Sequence, residues 1–531
     1  MPIRTRAPLP IPTDVTDEQK YWYFGAQKRW FLVLRFVTYI GLLLSLTRFG
    51  LNDPHAGLML VVVLLMAAVS LAGLYASTRR RTTDRHDHEQ RVLAWSPLRP
   101  PSVDVFLPCC GEPLHVLENT YRHVSALLYP GLVHVYVLDD GGRDEVRALT
   151  SRYGFRYLSR PDRGRLKKAG NLAYGLSQST SDAITILDAD FAPRPEYLLE
   201  LMPYLDDPRV GIVQSPQFFD THLGGPWLQR AAGADQELFY RWFQPSLDAV
   251  GAPICVGTCA VYRRTALEAV GGFAQISHSE DIHTGIAMMA KGFEIRYVPV
   301  ILAKGLCPDS MAPYMSQQYR WCSGSLSLLA DRNFRNMRLT WRQRLCFWSG
   351  FGYYITTAIT AFIAFLPPIY LLWARPETIQ DRDFLLLLPV VFAYPLMALL
   401  SRCRWEFGVL RAQVAQSFAH AVAIWDAWRG HTEDWVATGT APRTPLGHRV
   451  ANLMFGWLLI VQLLLWAGIS YDLVSHTLSL SDTYPLILFA VFAAYLHTPL
   501  MVSALRRPTG AMVHGPRRAR NIAAQPHEVA A

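Results

Sequence analysis

The stretch Ala183-Ile184-Thr185-Ile186-Leu187-Asp188-Ala189-Asp190-Phe191 decides how this chain is read. A short apolar run rich in β-branched residues predicts a buried strand. It ends in two aspartates one residue apart, and the alternation of a strand points their side chains the same way. Neighbouring carboxylates repel unless positive charge stands between them. Hard oxygen ligands with open positions suit Mg2+ or Mn2+ chelated by a diphosphate. An Asp-x-Asp triplet is common by chance, so its weight comes from its place at a strand end.

Reading outward, Val103-Asp104-Val105-Phe106-Leu107-Pro108 and Val133-His134-Val135-Tyr136-Val137-Leu138 have the same strand character, with helical patterns starting at Glu112 and Asp144. Strand and helix alternate over residues 100–340. That order predicts an α/β domain with a mostly parallel sheet and helices on both faces. Ligands on such sheets bind outside the carboxyl ends of the strands, where the acidic motifs fall. Leu138-Asp139-Asp140-Gly141-Gly142 closes the second strand; its carboxylates suit a nucleobase or ribose, and equally a helix cap. Ser279-Glu280-Asp281 opens an apolar helical pattern, which suits capping or a general base at Asp281. Gln317-Gln318-Tyr319-Arg320-Trp321 pairs a guanidinium that can fork onto phosphate with an indole face that can stack on a sugar ring.

Composition sets the surroundings. Of 531 residues, 51% are hydrophobic and 18% charged, too apolar for an ordinary soluble enzyme and too charged for a bare bundle of spanning helices. Six apolar runs reach about the 20 residues a helix needs to cross a bilayer: Trp30–Gly50, Gly57–Ala76, Cys346–Trp373 with a kink at Pro367-Pro368, Phe384–Leu400, Val450–Ser470 and Tyr484–Leu505. Arg79-Arg80-Arg81 follows the second run, whereas the loop between the first two has no Lys or Arg. The positive-inside rule therefore puts the α/β domain in the cytosol of a multi-pass cell-membrane protein. The net charge of +9 clusters beside the apolar runs rather than along one polar face, so no nucleic-acid partner is expected. The eight cysteines form no CxxC pair, as suits a reducing compartment.

The expected organisation is a cytosolic segment over 1–29, two transmembrane helices over 30–78, the α/β domain over 100–340, two more spans over 346–400, an interfacial helix and gating loop over 405–449, two last spans over 450–505 and a disordered tail over 506–531. The interfacial helix rests on Phe407, Leu410, Val414, Phe418, Val422 and Trp425 at helical spacing; a helix packed on the sheet domain is the alternative. The polar N-terminus does not read as a cleavable signal.

The ordered set Leu138–Gly142, Lys167-Lys168-Ala169-Gly170-Asn171, Leu187–Phe191, Ser279–Asp281 and Gln317–Trp321 resembles the family 2 membrane glycosyltransferases, with bacterial cellulose synthase catalytic subunits and cellulose-synthase-like proteins nearest. The resemblance implies a GT-A-like domain and an inverting transfer from a nucleotide-sugar, UDP-glucose first among donors, to a β-linked glycan. It implies Asp139 and Asp140 at the uridine, Lys168 at the nucleotide, Asp188 and Asp190 on Mg2+ or Mn2+, and Asp281 as catalytic base. Gln317, Arg320 and Trp321 would hold the diphosphate and the acceptor sugar, while Gly257 and Thr258 would line the glucan entrance. Membrane lipids, a glycan acceptor and a periplasmic or accessory export subunit are the implied partners.

The chain departs from the family in places. Ser279 replaces the usual Thr, a change that keeps a hydroxyl cap; Pro108-Cys109-Cys110-Gly111-Glu112-Pro113 lacks the usual Asn, and the gating segment Trp435–Thr440 lacks the basic residue. No cyclic-di-GMP-binding barrel is expected. The rival readings are a non-processive transferase adding one sugar to a lipid, and a non-catalytic membrane transporter or receptor.

Overall fold

The computed structural model describes residues 11–24, 29–53, 57–79, 82–220, 226–388, 406–431 and 445–505. The described residues form ten strands: β1 Val103–Cys109, β2 Val133–Asp139, β3 Arg156–Leu158, β4 Ala183–Ile186, β5 Ala192–Pro193, β6 Val210–Gln214, β7 Phe218–Phe219, β8 Ala260–Arg263, β9 Glu294–Tyr297 and β10 Ala303–Gly305. Seven form one sheet in the order β3-β2-β1-β4-β8-β6-β9, and the other three form a small sheet, β5-β10-β7. Within the large sheet only β8 runs against its neighbours β4 and β6; the remaining pairs are parallel, as expected.

All seven residues of β1 are buried, which explains a near-continuous apolar run instead of a polar alternation. Val103, Val105 and Leu107 join one core and Phe106 the other. Alternation along the strand thus feeds both faces of the sheet, each such side chain contributing roughly 1.5–3 kcal/mol. Asp104 is tolerated within this run because Arg264 Nη2 lies 3.1 Å away and Ser181 donates both N–H and hydroxyl. Register matters for function: Cys109 pairs with Asp139, and Phe106 with Ile186. The Asp139 and Asp188 motifs therefore emerge on the same carboxyl edge.

Among the described residues, four helical elements are long and apolar enough to cross a membrane, Gly57–Thr78, Trp341–Ala374, Pro445–Val474 and Leu480–Leu505. The chain is a membrane protein. Leu58, Val61, Leu64 and Leu71 of the first of these are exposed, an apolar face that water would not favour and lipid would. The first expected span forms the helix Arg29–Asn52, but its apolar part is the shorter Phe36–Leu51, with Arg48 inside it. The third is broken where expected: one helix stops at Ile363 and the next, Leu366–Ala374, carries prolines in its first turn, where the ring's fixed φ and missing N–H are tolerated. The fourth span lies mostly, and the gating segment wholly, outside the described residues.

Helix Gly408–Trp428 does not present one apolar stripe. Thirteen of its residues are buried, because it packs between helices Met311–Ser327, Trp341–Ile363 and Trp227–Leu238. Gln413 Nε2 reaches Asp235 Oδ1 at 2.8 Å and the Tyr314 hydroxyl reaches Gln416 Oε1 at 3.0 Å. A helix packed on the α/β domain, the alternative to an interfacial one, describes these contacts. It ties the sheet domain to the membrane helices.

Candidate active site

At the end of β4 the Asp188 amide donates to Thr258 Oγ1 at 2.9 Å, fixing the turn that carries Asp188 and Asp190. Lys168 enters from helix Lys167–Ser177, whose start is twisted by left-handed backbone at Leu166 and Lys167. Its ammonium donates to Asp188 Oδ1 at 2.5 Å and to the Gly257 carbonyl at 3.2 Å, and lies 3.9 Å from Glu280 Oε1. Burial works against this charge, but Asp188 and Glu280 outweigh it and hold the Lys168 pKa above its ordinary value. Asp190 has no such help. Burial, with the Asp188 charge behind it, pushes its carboxyl up to about 7.

Asp281 sits against Gly257, whose φ is +74°. A Cβ there would lie 2.6 Å from Asp281 Oδ2. Burial first and Glu280 second push the Asp281 carboxyl up to about 7, with Lys168 pulling the other way. It is a carboxyl poised to exchange a proton near neutrality. Ser279 stands at the N-cap position of helix Glu280–Ala290 but makes no capping bond and has left-handed backbone. The expected hydroxyl cap is therefore absent: in this conformation Ser279 does not reach the helix's amides.

Gln317, Arg320 and Trp321 lie at i, i+3 and i+4 of helix Met311–Ser327, which puts them on one face. Burial lowers the Arg320 pKa to about 10, opposed by the charges of Glu280, Asp188 and Asp281. The guanidinium therefore shares the pocket of the carboxylates. Trp321 is half-buried, and Gln317 Oε1 is buried with no hydrogen-bond partner among the described residues.

Asp139 and Asp140 have protein partners of their own. Asp139 is fully buried and accepts from the Gly141 amide at 2.9 Å, the Arg143 amide at 2.7 Å and the Tyr157 hydroxyl at 2.9 Å. With these three protein donors its carboxylate shapes the loop that follows the strand. Asp140 takes a forked pair from Arg160 at 2.6 and 2.9 Å, both residues being buried. Thr258 is 1% exposed and its side chain holds the Asp188 amide, while Gly257 backs Asp281.

Residues 100–324 match the family described as glycosyltransferase like family 2. The likeness falls on the α/β domain and spans less than half of the chain. The matched region has the α/β fold with a mostly parallel sheet expected of it. Over 260 residues it is 35% identical to a cellulose synthase catalytic subunit [UDP-forming] of Xanthomonas axonopodis pv. citri (strain 306), covering 46% of this chain and 35% of that protein. Cellulose synthase 1 catalytic subunit [UDP-forming] of Komagataeibacter xylinus is 31% identical over 324 residues, covering 60% of this chain and 42% of the relative. The chain thus spans well under half the length of these relatives. A mannosyltransferase of Pyrobaculum calidifontis, in complex with GDP-Man and Mn2+, superposes with a TM-score of 0.47 at 17% identity, covering 69% of this chain and 98% of that one.

Two residues of the α/β domain escaped the sequence reading as site members. Glu280 lies beside Lys168, and its only signal was its adjacency to Asp281. Arg160 pins Asp140 across 20 residues of sequence, a pairing that spacing alone does not announce.

Proposed function

We propose that this glycosyltransferase is an inverting polysaccharide synthase that moves glucose from UDP-glucose to the growing end of a β-linked glycan at the inner face of the cell membrane. The observation that carries the reading is the convergence of Asp281, the Lys168–Asp188 pair and Arg320. They meet beside helix Met311–Ser327, which connects through the short helix Arg332–Asn336 to the Trp341–Ala374 membrane element. The matched relatives, cellulose synthases [UDP-forming], support the donor and the polymer.

In this reading Asp281 accepts the proton of the acceptor hydroxyl as its oxygen bonds to the anomeric carbon. The bond from that carbon to the diphosphate oxygen breaks, and UDP leaves with the electron pair. An α-linked donor then gives a β-linked product. Arg320 faces the growing negative charge, and Lys168 fixes Asp188 and the strand end beneath it. Trp321 offers its face to the terminal sugar of the acceptor, and Gln317 lies one turn before it.

Among the described residues no three His, Cys, Asp or Glu side chains form a metal cage. Asp188 and Asp190 nevertheless fit a cation that takes its other ligands from a diphosphate, since Asp190 lacks the positive charge its burial calls for. Mg2+ or Mn2+ held by these two carboxylates would neutralise charge on the departing diphosphate.

Positive flanks such as Arg79 favour a cytosolic domain with the polymer leaving through the membrane helices, aided by a periplasmic or accessory subunit. The test is nucleotide release by the purified protein with UDP-glucose, UDP-N-acetylglucosamine and GDP-mannose, each with Mg2+ or Mn2+. Release of UDP from UDP-glucose with a β-linked polymer supports the reading. A product of one sugar on a lipid contradicts the polymer, and turnover of GDP-mannose alone contradicts the donor.

A further inference from the structure

Ser279 and Gly324 meet at a point that the proposed chemistry leaves unused. Ser279 lies two residues before Asp281, with φ at +57°, a region non-glycine residues seldom adopt. Gly324 is buried on helix Met311–Ser327, one turn beyond Arg320. A Cβ at Gly324 would overlap the Ser279 hydroxyl outright and stand 2.5 Å from the Ser279 Cβ, with the Ser279 Cα at 3.9 Å. The turn that carries Asp281 therefore rests directly on the backbone of the helix that carries Arg320.

We infer that Gly324 is a positioning residue, whose missing side chain lets the Ser279 turn seat on the helix and so sets the separation of Asp281 from Arg320. This deepens the proposed function and rests on its reading of Asp281 and Arg320 as partners in one transfer. The charge of Asp281 already acts on Arg320, against the burial that lowers its pKa, so the two groups share one electrostatic environment. Alanine is the better helix former, so a loss of function on Gly324→Ala cannot come from helix propensity. It comes from the seat.

The geometry makes the contact separable by a pair of second-site changes. Ser279→Ala leaves the Cβ that would stand 2.5 Å from a side chain at position 324; Ser279→Gly removes it, leaves the Cα at 3.9 Å, and suits the positive φ. The full chain in lipid nanodiscs is assayed for kcat with UDP-glucose, for UDP-glucose binding, and for thermal unfolding. A displacement near 1 Å at the base predicts a fall in kcat on G324A of about 100-fold, with UDP-glucose affinity within about threefold of the parent. S279A/G324A stays low. S279G/G324A recovers most of the rate and unfolds at a higher temperature than S279A/G324A.

Full-rate G324A overturns the inference. So does S279G/G324A that recovers no more than S279A/G324A, or that fails to fold, because the clash is gone from that protein. If the parent itself transfers nothing from UDP-glucose, the proposed function fails separately. The thermal coupling between positions 279 and 324 then decides the seat, and equal unfolding temperatures for the two double variants overturn it.

Discussion

Gly257→Ala is the substitution whose effect follows most directly from the site's geometry. Gly257 has φ at +74°, and its would-be Cβ lies 2.6 Å from Asp281 Oδ2, 2.9 Å from its Cβ and 3.0 Å from its Cγ. The left-handed conformation alone costs an alanine roughly 1–2 kcal/mol. The contact adds to this, because the carboxylate must retreat by about 0.8 Å to reach ordinary van der Waals distance. A base displaced by that much predicts transfer slowed by about 100-fold, or about 2.7 kcal/mol of barrier. In the proposed mechanism Asp281 acts on the acceptor hydroxyl, so donor affinity is expected to change little. The assay is initial-rate transfer at saturating donor beside equilibrium binding of UDP-glucose, on protein shown to be monodisperse. A folded Gly257→Ala protein that turns over at the parent rate would refute the placement of Asp281 as the working base.

Three further outcomes follow from the same contacts. The raised carboxyl of Asp281 must lose its proton to act, so kcat rises with pH through about 7. The folded state binds the proton that the unfolded chain releases above about 4, so this group's contribution to stability falls as pH rises from there to about 7. Asp281→Asn removes that fall, which thermal unfolding at pH 5 and pH 8 reads. Arg160→Ala strands the buried Asp140 carboxylate and lowers stability by about 3–5 kcal/mol, measured by urea unfolding; an unchanged midpoint counts against the buried pair. EDTA stops turnover, and Asp190→Ala weakens binding of both Mn2+ and UDP-glucose; metal-independent activity untouched by that variant would make Asp188 and Asp190 a mere turn.

The strands were legible because their apolar runs have the length and β-branched content of buried parallel strands, and Asp188 and Asp190 were legible as the end of one. Gln317, Arg320 and Trp321 share a face because i, i+3 and i+4 spacing dictates it. Other features depend on tertiary partners that no local pattern names. The antiparallel insertion of β8 between β4 and β6 is a matter of topology, and the pinning of Asp140 by Arg160 is a matter of loop path. Glycines at 257 and 324 are visible as letters, yet what their missing side chains admit, Asp281 and Ser279, becomes visible only in space. The neighbours of helix Gly408–Trp428 were hidden for the same reason. Its apolar spacing suits one buried stripe, whereas three neighbouring helices bury more than one side.

The central claim is that Asp281 deprotonates a glycan hydroxyl that then displaces UDP from UDP-glucose. Glycosidic-linkage analysis of the product made by the purified chain, run beside Asp281→Asn at equal occupancy of UDP-glucose, tests it most directly. The account predicts a long β-linked glucan from the parent chain while most donor is still unspent, and none from the variant, although the variant binds UDP-glucose with nearly unchanged affinity. An Asp281→Asn protein that still builds the polymer, or one that has lost donor binding, would contradict it.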